Sequence, residues 1–567
     1  MSISRRTVLL SALASTAAAG GLAAAGAAPA AAATATPAAS GPGDVVGKIT
    51  VGYQGWFACP GDGAPINSWW HWSANGGQPP SPSNTTLTSW PDMREYQHTY
   101  RTAYANLGNG QPATLFSSWD DQSVDTHFRW MAENGCDTAA LQRFDPVGGE
   151  GPTRDGMAQK VRTAAEAHGV KFYVMYDVTQ WTNMQSEIKT DWTNKMKAHT
   201  ASAAYATQNG KPVVCVWGFG FSDDHRDFAA PACLDVVNWF KSQGCYVIGG
   251  VPTHWRAGTD DSRPGFLDVY HAFHMISPWM VGRISTVADA DNFLANLNTG
   301  DLADCQAHGI DYQPCVIPGN LQTGDRAHGD LMWRQFYNLT KIGVQGFYIS
   351  MFDEFNEGNQ IAKTAETTAD VPAGSGFLPL DEDGTACSAD YYLRLTADGG
   401  RMLKKQIALT PTRPTQPVVG ATGPTQPTGD LARGRATDAS STTQVYAPSN
   451  AVDGNASTYW ESANNAFPQW WQVDLGTAQP VKRLVLSLPP DTAWATRTQT
   501  IAVLGSSDGH TFSTLAAAGG RTFDPATGNS VTVSLTSAAT ARYVRLQFTA
   551  NTGWPAGQLS GVSVFAS

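Results

Sequence analysis

From residue 48 to residue 407 the chain alternates between two hydrophobic patterns. Short, continuously apolar runs rich in β-branched and aromatic residues read as strands buried on both faces: 48–57, 138–144, 171–178, 212–218, 245–251, 274–281, 312–317 and 344–352. Each is followed by a stretch with helical periodicity, at 124–134, 156–168, 184–199, 233–243, 265–273, 288–308, 329–342 and 391–407. Most of these stretches stop at glycine, the usual residue just past a helix end, before the next strand begins. Eight such units predict an α/β domain over 45–408, a (β/α)8 TIM barrel. A doubly wound open sheet is the alternative, but no Gly-x-Gly-x-x-Gly follows the first strand to mark a dinucleotide site.

The connections are asymmetric. Helix-to-strand turns are tight, whereas the loops after strand one (58–122) and strand eight (358–390) are long. Barrel chemistry is built from loops of the latter kind, and the first of them, which carries Trp69, Trp70, His71, Trp72, Trp90 and Trp119, is expected to wall a cleft. Residues 409–430 repeat Pro-Thr-Gln-Pro and read as a semi-rigid Pro/Thr-rich linker. From 431 to 567 the pattern changes to short strands and turns with no helical period, an all-β jelly-roll sandwich.

Composition sharpens this picture at four points. The 567 residues include 19 Trp, abundant enough to suggest surfaces that stack on sugar rings as well as core packing. The net charge of -11 argues against nucleic-acid or anionic-membrane partners. The N-terminus carries Arg5-Arg6, an apolar Val8-Leu9-Leu10 and a long Ala/Gly run to Ala33, which reads as a twin-arginine export signal over 1–33, followed by a disordered leader over 34–44 and a secreted, monomeric mature chain. Eight cysteines in an exported chain suggest disulfides; Cys233 with Cys245 and Cys305 with Cys315 are close in sequence, but spacing alone does not assign pairs.

The predicted C-terminal strand ends present Tyr53, Gln54 and Trp56; Gln142 and Arg143; Tyr176 and Asp177; Trp217; His254 and Trp255; Trp279; and, on the last, Asp353, Glu354 and Glu357. An aromatic cup with a few charged groups suits carbohydrate, with Trp stacking on sugar faces and charged groups binding hydroxyls. For Asp177 a helix cap or an Arg partner is the structural alternative, and for His254 a hydrogen-bonded place in a loop. Asp223-Asp224-His225-Arg226 reads as a solvated loop. Glycosidic cleavage needs one carboxyl to protonate the leaving oxygen and another to act as nucleophile or base. Glu354 and Glu357 supply that pair if the chain turns after Glu354, which Asn356 and Gly358 favour. No His-Glu-x-x-His and no Gly-x-Ser-x-Gly elbow signals a metal or serine hydrolase, so catalysis needs no cofactor.

The segment from Ile349 to Ile361, with its acid pair at three-residue spacing, resembles the last barrel strand of glycoside hydrolase family 99, the endo-α-mannosidases, and of the related family 71 α-1,3-glucanases. Tyr53-Gln54-Gly55-Trp56 on the first strand extends the resemblance. It implies that Glu357 is the general acid/base and that Glu354 assists the substrate's own 2-hydroxyl, giving a retaining cleavage of α-linked glycans, α-mannan foremost. An α-1,3-glucanase, another glycosidase and a non-catalytic polysaccharide-binding protein are the alternatives. Phe355-Asn356 replaces the family's Trp-His pair between the acids. The C-terminal unit, through Ala451-Val452-Asp453-Gly454 with Thr458-Tyr459-Trp460 and through Trp471-Gln472-Val473-Asp474-Leu475-Gly476, resembles a discoidin (coagulation factor 5/8 type C) domain close to carbohydrate-binding module family 32. That implies a structural calcium at Asp453, Asn455 and Thr458, and sugar contacts from Trp494, Arg497 and Trp554.

Overall fold

The computed structural model describes residues 40–223, 225–418, 430–453, 456 and 458–566. The expected export signal, residues 34–39 of the leader, residues 419–429 of the linker, Asp224 and Asn455 lie outside the described residues. The chain divides into two compact units between Pro417 and Val418.

The first unit is built on a parallel sheet. Strand β1 (Lys48–Tyr53) pairs on one side with β2 (Thr138–Arg143), and the ladder continues through β3 (Lys171–Asp177), β4 (Lys211–Trp217), β5 (Tyr246–Val251) and β6 (Met275–Pro278). On its other side β1 pairs with β8 (Gly346–Ile349). The seventh strand, β7, is broken: Asp311–Tyr312 pairs with β6 and Cys315–Val316 with β8. Pro314 lacks the N–H that an unbroken ladder requires. The break keeps both neighbours, because Gln313 N donates to Ile276 O at 2.9 Å and Tyr348 N donates to Pro314 O at 3.1 Å. Both edges of the sheet thus belong to one short segment, an arrangement consistent with the expected (β/α)8 barrel.

Helices α1 (Asp121–Glu133), α2 (Gly151–His168), α3 (Met184–Asn194), α4 (Ala230–Ser242), α5 (Leu267–His271), α6 (Val287–Phe293), α7 (Thr299–His308), α8 (Asp330–Ile342) and α9 (Tyr391–Leu403) follow the predicted order. The expected continuous helix over 288–308 is interrupted by a π turn at Leu294–Asn298, where buried Asn298 donates to Tyr312 Oη at 3.1 Å. Among the described residues no helix is long and apolar enough to cross a membrane.

Side-chain alternation sorts the strand residues into an inner and an outer set. Inside, Gln142 Nε2 donates to Tyr348 Oη at 3.2 Å, and a Cβ on Gly52 would fall 2.2 Å from that same hydroxyl, so β1 admits only glycine there. Outside, toward the helices, lie three residues expected at the cleft. Tyr53 Oη sits 2.9 Å from His127 Nδ1, whose Nε2 meets Tyr96 Oη at 2.7 Å; burial holds His127 down at about 3, neutral. Arg143 Nε donates to Asp191 Oδ2 at 2.6 Å, and its Nη2 pairs with Asp155 at 2.7 Å. Tyr176 Oη donates to the same Asp191 at 2.8 Å. Tyr53, Arg143 and Tyr176 therefore brace strands against helices and do not face a substrate.

Three further expectations are corrected. All eight cysteines are free and buried, with thiols pushed up by burial. Cys233 lies in the first turn of α4 and Cys245 follows its end, so the rest of the helix, about 13 Å long, stands between them, beyond disulfide reach. Residues 40–44, expected to be disordered, are tied down: Ser40 N donates to Asp311 Oδ1 at 2.9 Å and Thr207 N to Asp44 Oδ2 at 2.8 Å. Residues 410–417 of the expected linker pack on the first unit, where Thr410 O accepts from Trp333 Nε1 at 3.1 Å and Thr415 Oγ1 donates to Asp398 at 2.6 Å.

The second unit is antiparallel. Its main sheet runs Ala436–Ala439, Gln469–Ser487, Ser530–Asn551, Arg497–Ser506, Ser513–Phe523, with Gly561–Phe565 also pairing to Gln469–Ser487. Register shifts after Asp474 and Val481 bend the long strand Gln469–Ser487. Trp460, Trp471, Leu484, Leu546 and Phe548 fill the core.

Asp191→Ala is expected to lower the unfolding free energy by about 3 kcal/mol, since it strips the Arg143 guanidinium of its bidentate partner inside the protein and leaves only Asp155. Denaturant titration measures this; a loss under about 1 kcal/mol would contradict the bracing role.

Candidate active site at the end of strand eight

The acid segment begins where β8 ends, and it is held from three sides. The buried Asp353 carboxylate accepts from Gln54 N through Oδ1 and from Gly55 N through Oδ2, each at 2.8 Å, which ties the end of β8 to the end of β1. Burial pushes Asp353 up to about 7; the two amides and Arg154 pull against that, and Glu354 adds to it. From the loop after β1, Thr88 N and Ser89 N both donate to Phe355 O at 3.1 Å. From the loop after β7, the buried Arg326 donates to Gly358 O at 3.0 Å and Gln360 O at 2.7 Å. Gly358 has φ of 74°, and a Cβ there would approach Asn320 Oδ1 to 2.5 Å, so glycine is required at the bend.

Within this frame the chain turns as the sequence predicts. Glu357 N donates to Glu354 O at 3.2 Å and Gly358 N to the same oxygen at 3.1 Å. Glu354 and Glu357 thus share one turn, and both are buried, at 0% and 4% exposure. Gln54 Nε2 donates to Glu354 Oε1 at 2.6 Å, fixing that carboxylate against the end of β1.

Around the turn the strand ends supply aromatic and charged neighbours. Trp56 stacks on His71 at 3.8 Å between ring centres and on Phe144 at 5.7 Å. Trp217, at the end of β4, packs edge-on against Trp279 at 5.1 Å and closely against β5, where a Cβ on Gly250 would come within 2.1 Å of it. Asp177, inward-facing at the end of β3, accepts from Thr179 N at 3.0 Å and Thr179 Oγ1 at 2.5 Å. Thr179 Oγ1 in turn accepts from Arg226 Nε at 3.0 Å, and the Arg226 guanidinium sits 4.6 Å above the Trp217 ring.

Gln54, Trp56, Asp177, Trp217, Trp279, Glu354 and Glu357 all lie at or just beyond the C-terminal ends of the strands, and Gln54 meets Glu354 directly. Asp353 lies with them but is spent on backbone amides. Gln142 lies deeper, plugging the sheet interior against Tyr348 and Met175. His254 belongs to a loop pair, with Nδ1 3.0 Å from Asp261 Oδ1, while Arg283 donates to Oδ2 of the same carboxylate; the Asp261 contact raises His254. Trp255 is buried edge-on to Tyr270 and His271 at 6.0 and 6.1 Å, away from the strand ends. In the first loop, Trp72 and Trp90 are core residues rather than a cleft wall.

Three charged residues escaped the sequence reading. Arg226 stands in the segment read as a solvated loop, yet it is buried. Arg154, in the first turn of α2, donates to Gly55 O at 3.0 Å, and burial lowers it. Glu150, just before α2, meets Trp70 Nε1 at 3.4 Å; burial raises it, Arg154 lowers it and Asp177 raises it further. Each is drawn inward by a partner far along the chain, Thr179, Gly55 and Trp70 in turn, although Arg226 also pairs with nearby Asp223 and Glu150 with nearby Arg154.

In the second unit, Thr458 Oγ1 donates to Asp453 Oδ2 at 2.7 Å, so two of the expected oxygen ligands stand together, a carboxylate and a hydroxyl that suit a hard cation such as calcium. Arg497 is held inside, donating to Trp494 O at 3.0 Å (through Nε) and Gln558 Oε1 at 2.9 Å, and is corrected from a sugar contact to a brace. Trp494 is half-buried against Tyr459, at 4.7 Å. Trp554 is 45% exposed.

Comparisons with known proteins follow this division. The chain is similar in structure to the GH99 endo-alpha-mannosidase from Bacteroides thetaiotaomicron, at 14% identity, covering 64% of this chain and 98% of that one, with a TM-score of 0.45. It is also similar to chitosan-binding module 1 of a chitosanase/glucanase from Paenibacillus sp. IK-5, at 31% identity over 24% of this chain and 98% of that one, TM-score 0.20. A family 32 carbohydrate-binding module from C. perfringens NanJ, solved with galactose, matches at 20% identity over 24% of this chain and 97% of that one, TM-score 0.21. No curated protein matches the chain. Residues 436–561 match the F5/8 type C domain family, and the second unit carries such a domain.

Proposed function

We propose that the first unit is a closed (β/α)8 barrel and a glycoside hydrolase, acting on α-linked glycans with retention, α-mannan being the first substrate to test. The observation that carries this reading is the pair Glu354 and Glu357, buried on one turn at the C-terminal end of β8. In this reading Glu357 gives its proton to the leaving oxygen, and Glu354, oriented by Gln54, assists attack at the anomeric carbon. Trp56, Trp217 and Trp279 stand at the strand ends but are nearly buried, Trp56 stacked on His71 and Phe144 and Trp217 beneath Arg226, so in this reading they form the apolar floor of the sugar site, while Asp177 and Arg226 offer hydroxyl partners beside Trp217. The F5/8 type C domain would hold the enzyme on a polysaccharide and raise the local substrate concentration. Arg5-Arg6 ahead of the apolar and Ala/Gly-rich run is what supports secretion in this reading.

The first test is activity on a panel of α-mannan, α-glucans and chitosan. Glu357→Gln and Glu354→Gln are each expected to lower kcat by about 10²- to 10⁴-fold with little change in KM. Release of no product from any glycan, with retained binding, would make the first unit a lectin; an unchanged rate in Glu357→Gln would remove it as the acid.

Asp353 sets a pH signature. Its folded value, about 7, lies above the ordinary carboxylate value near 4, so the native state holds this proton more tightly than the unfolded chain. Its contribution to stability is complete below about pH 4 and is lost as the pH rises to about 7, with a slope of up to about 1.4 kcal/mol per pH unit. Unfolding of wild type and Asp353→Asn across that window measures it: the wild type's stability relative to the variant should fall with rising pH, and a rise would refute the assignment.

For the second unit, Trp554→Ala in the full chain is expected to weaken retention on insoluble polysaccharide by about two- to tenfold while leaving kcat on short soluble oligosaccharides unchanged. Equal retention would rule Trp554 out as a sugar contact.

A further inference from the structure

Away from the strand ends, His271 closes α5, and Asp304 and His308 stand one turn apart on α7, which puts both on one face of that helix. Asp304 Oδ1 lies 2.8 Å from His271 Nε2 and 3.2 Å from His308 Nδ1. The two imidazole rings stack on each other, with centres 3.7 Å apart and planes 21° from parallel. One ligand atom from each residue falls within 4.8 Å of the others. All three side chains are partly open to solvent, at 19%, 26% and 44% exposure, so an ion can reach them.

We propose that His271, Asp304 and His308 form a surface site for a divalent transition cation of the zinc class. Zinc bonds to imidazole nitrogen and carboxylate oxygen of about 2.0–2.1 Å, set tetrahedrally, place neighbouring ligand atoms about 3.3 Å apart. Two of the three separations already match that spacing within about half an ångström. Two imidazoles and one carboxylate are a donor set for zinc, nickel or copper, whereas calcium and magnesium take oxygen. The bland reading is a carboxylate hydrogen-bonded to two histidines. Near-parallel rings 3.7 Å apart cannot both aim an in-plane nitrogen lone pair at one ion, so one imidazole turns out of the stack when the ion binds. The competitor is Asp304 O, which lies 2.9 Å from His308 Nδ1 and must give up that contact. The fourth position, facing solvent, takes a water. Bound there, the ion would link α5 to α7 and so join the segments that follow β5 and precede β7.

The test uses the full chain, stripped with EDTA and then held in excess Ca²⁺ so that oxygen-only sites are filled. Calorimetric titration with ZnCl2 is expected to show one zinc per chain, and zinc is expected to raise the melting temperature. His271→Ala and His308→Ala should each weaken zinc binding by about tenfold or more and abolish the melting shift. His271→Gln keeps the bulk of the side chain and should lose zinc equally. Equal melting temperatures of wild type and variants without zinc establish that the variants fold. No zinc binding by the wild type, or equal affinity in wild type and variants, would overturn the site.

Discussion

The two amide hydrogen bonds to the Asp353 carboxylate fix everything at the proposed centre. They join the last strand to the first at the mouth of the sheet, and they do so inside the protein, where an unpaired carboxylate would be costly. Asp353 therefore has no freedom to meet a substrate, but its position dictates where the next residues go. Glu354 emerges beside Gln54, and the turn that follows brings Glu357 back toward it. The same turn is gripped by Thr88 and Ser89 on one side and Arg326 on the other. A group used in acid–base chemistry gains from such pre-set placement, because no reorganisation is needed when the reaction occurs.

A second constraint is alternation along the strands. Neighbours Gln142 and Arg143 are both polar and both buried, yet one fills the sheet interior and the other pairs with Asp191 under the helices. Tyr176 and Asp177 divide in the same way. Composition at a strand end is thus a poor guide to the cleft; the parity of the position decides. The outward members are not idle, since they carry the buried ion pair and the Tyr53–His127–Tyr96 chain that lock helices onto strands.

The aromatic richness of the chain also divides. Trp72 and Trp90 build the long first loop into a packed layer, Trp255 locks the segment after β5 against α5, and Trp460 and Trp471 fill the sandwich core. Trp56, Trp217 and Trp279 remain at the strand ends. Abundance of Trp suggested stacking surfaces, but these three are nearly buried too, and among the described residues it is Trp554 that stands well exposed.

Local pattern fixes the order of the elements in the first unit and places most of them to within a few residues, because apolar runs and glycine stops act at short range. It also determined the turn that places Glu354 and Glu357 together, since Asn356 and Gly358 favour it at short range, and the change of pattern that marks the second unit. What only tertiary structure decided is which polar residues are drawn into the interior. Arg154, Arg226 and Glu150 each take a partner far along the chain, which their local neighbours do not announce. The break in β7 keeps its pairing only because two different strands flank it. All eight cysteines stay free, and α4 stands between Cys233 and Cys245, a pair close in sequence. Local physics sets what each segment becomes; burial against distant neighbours sets what each side chain does.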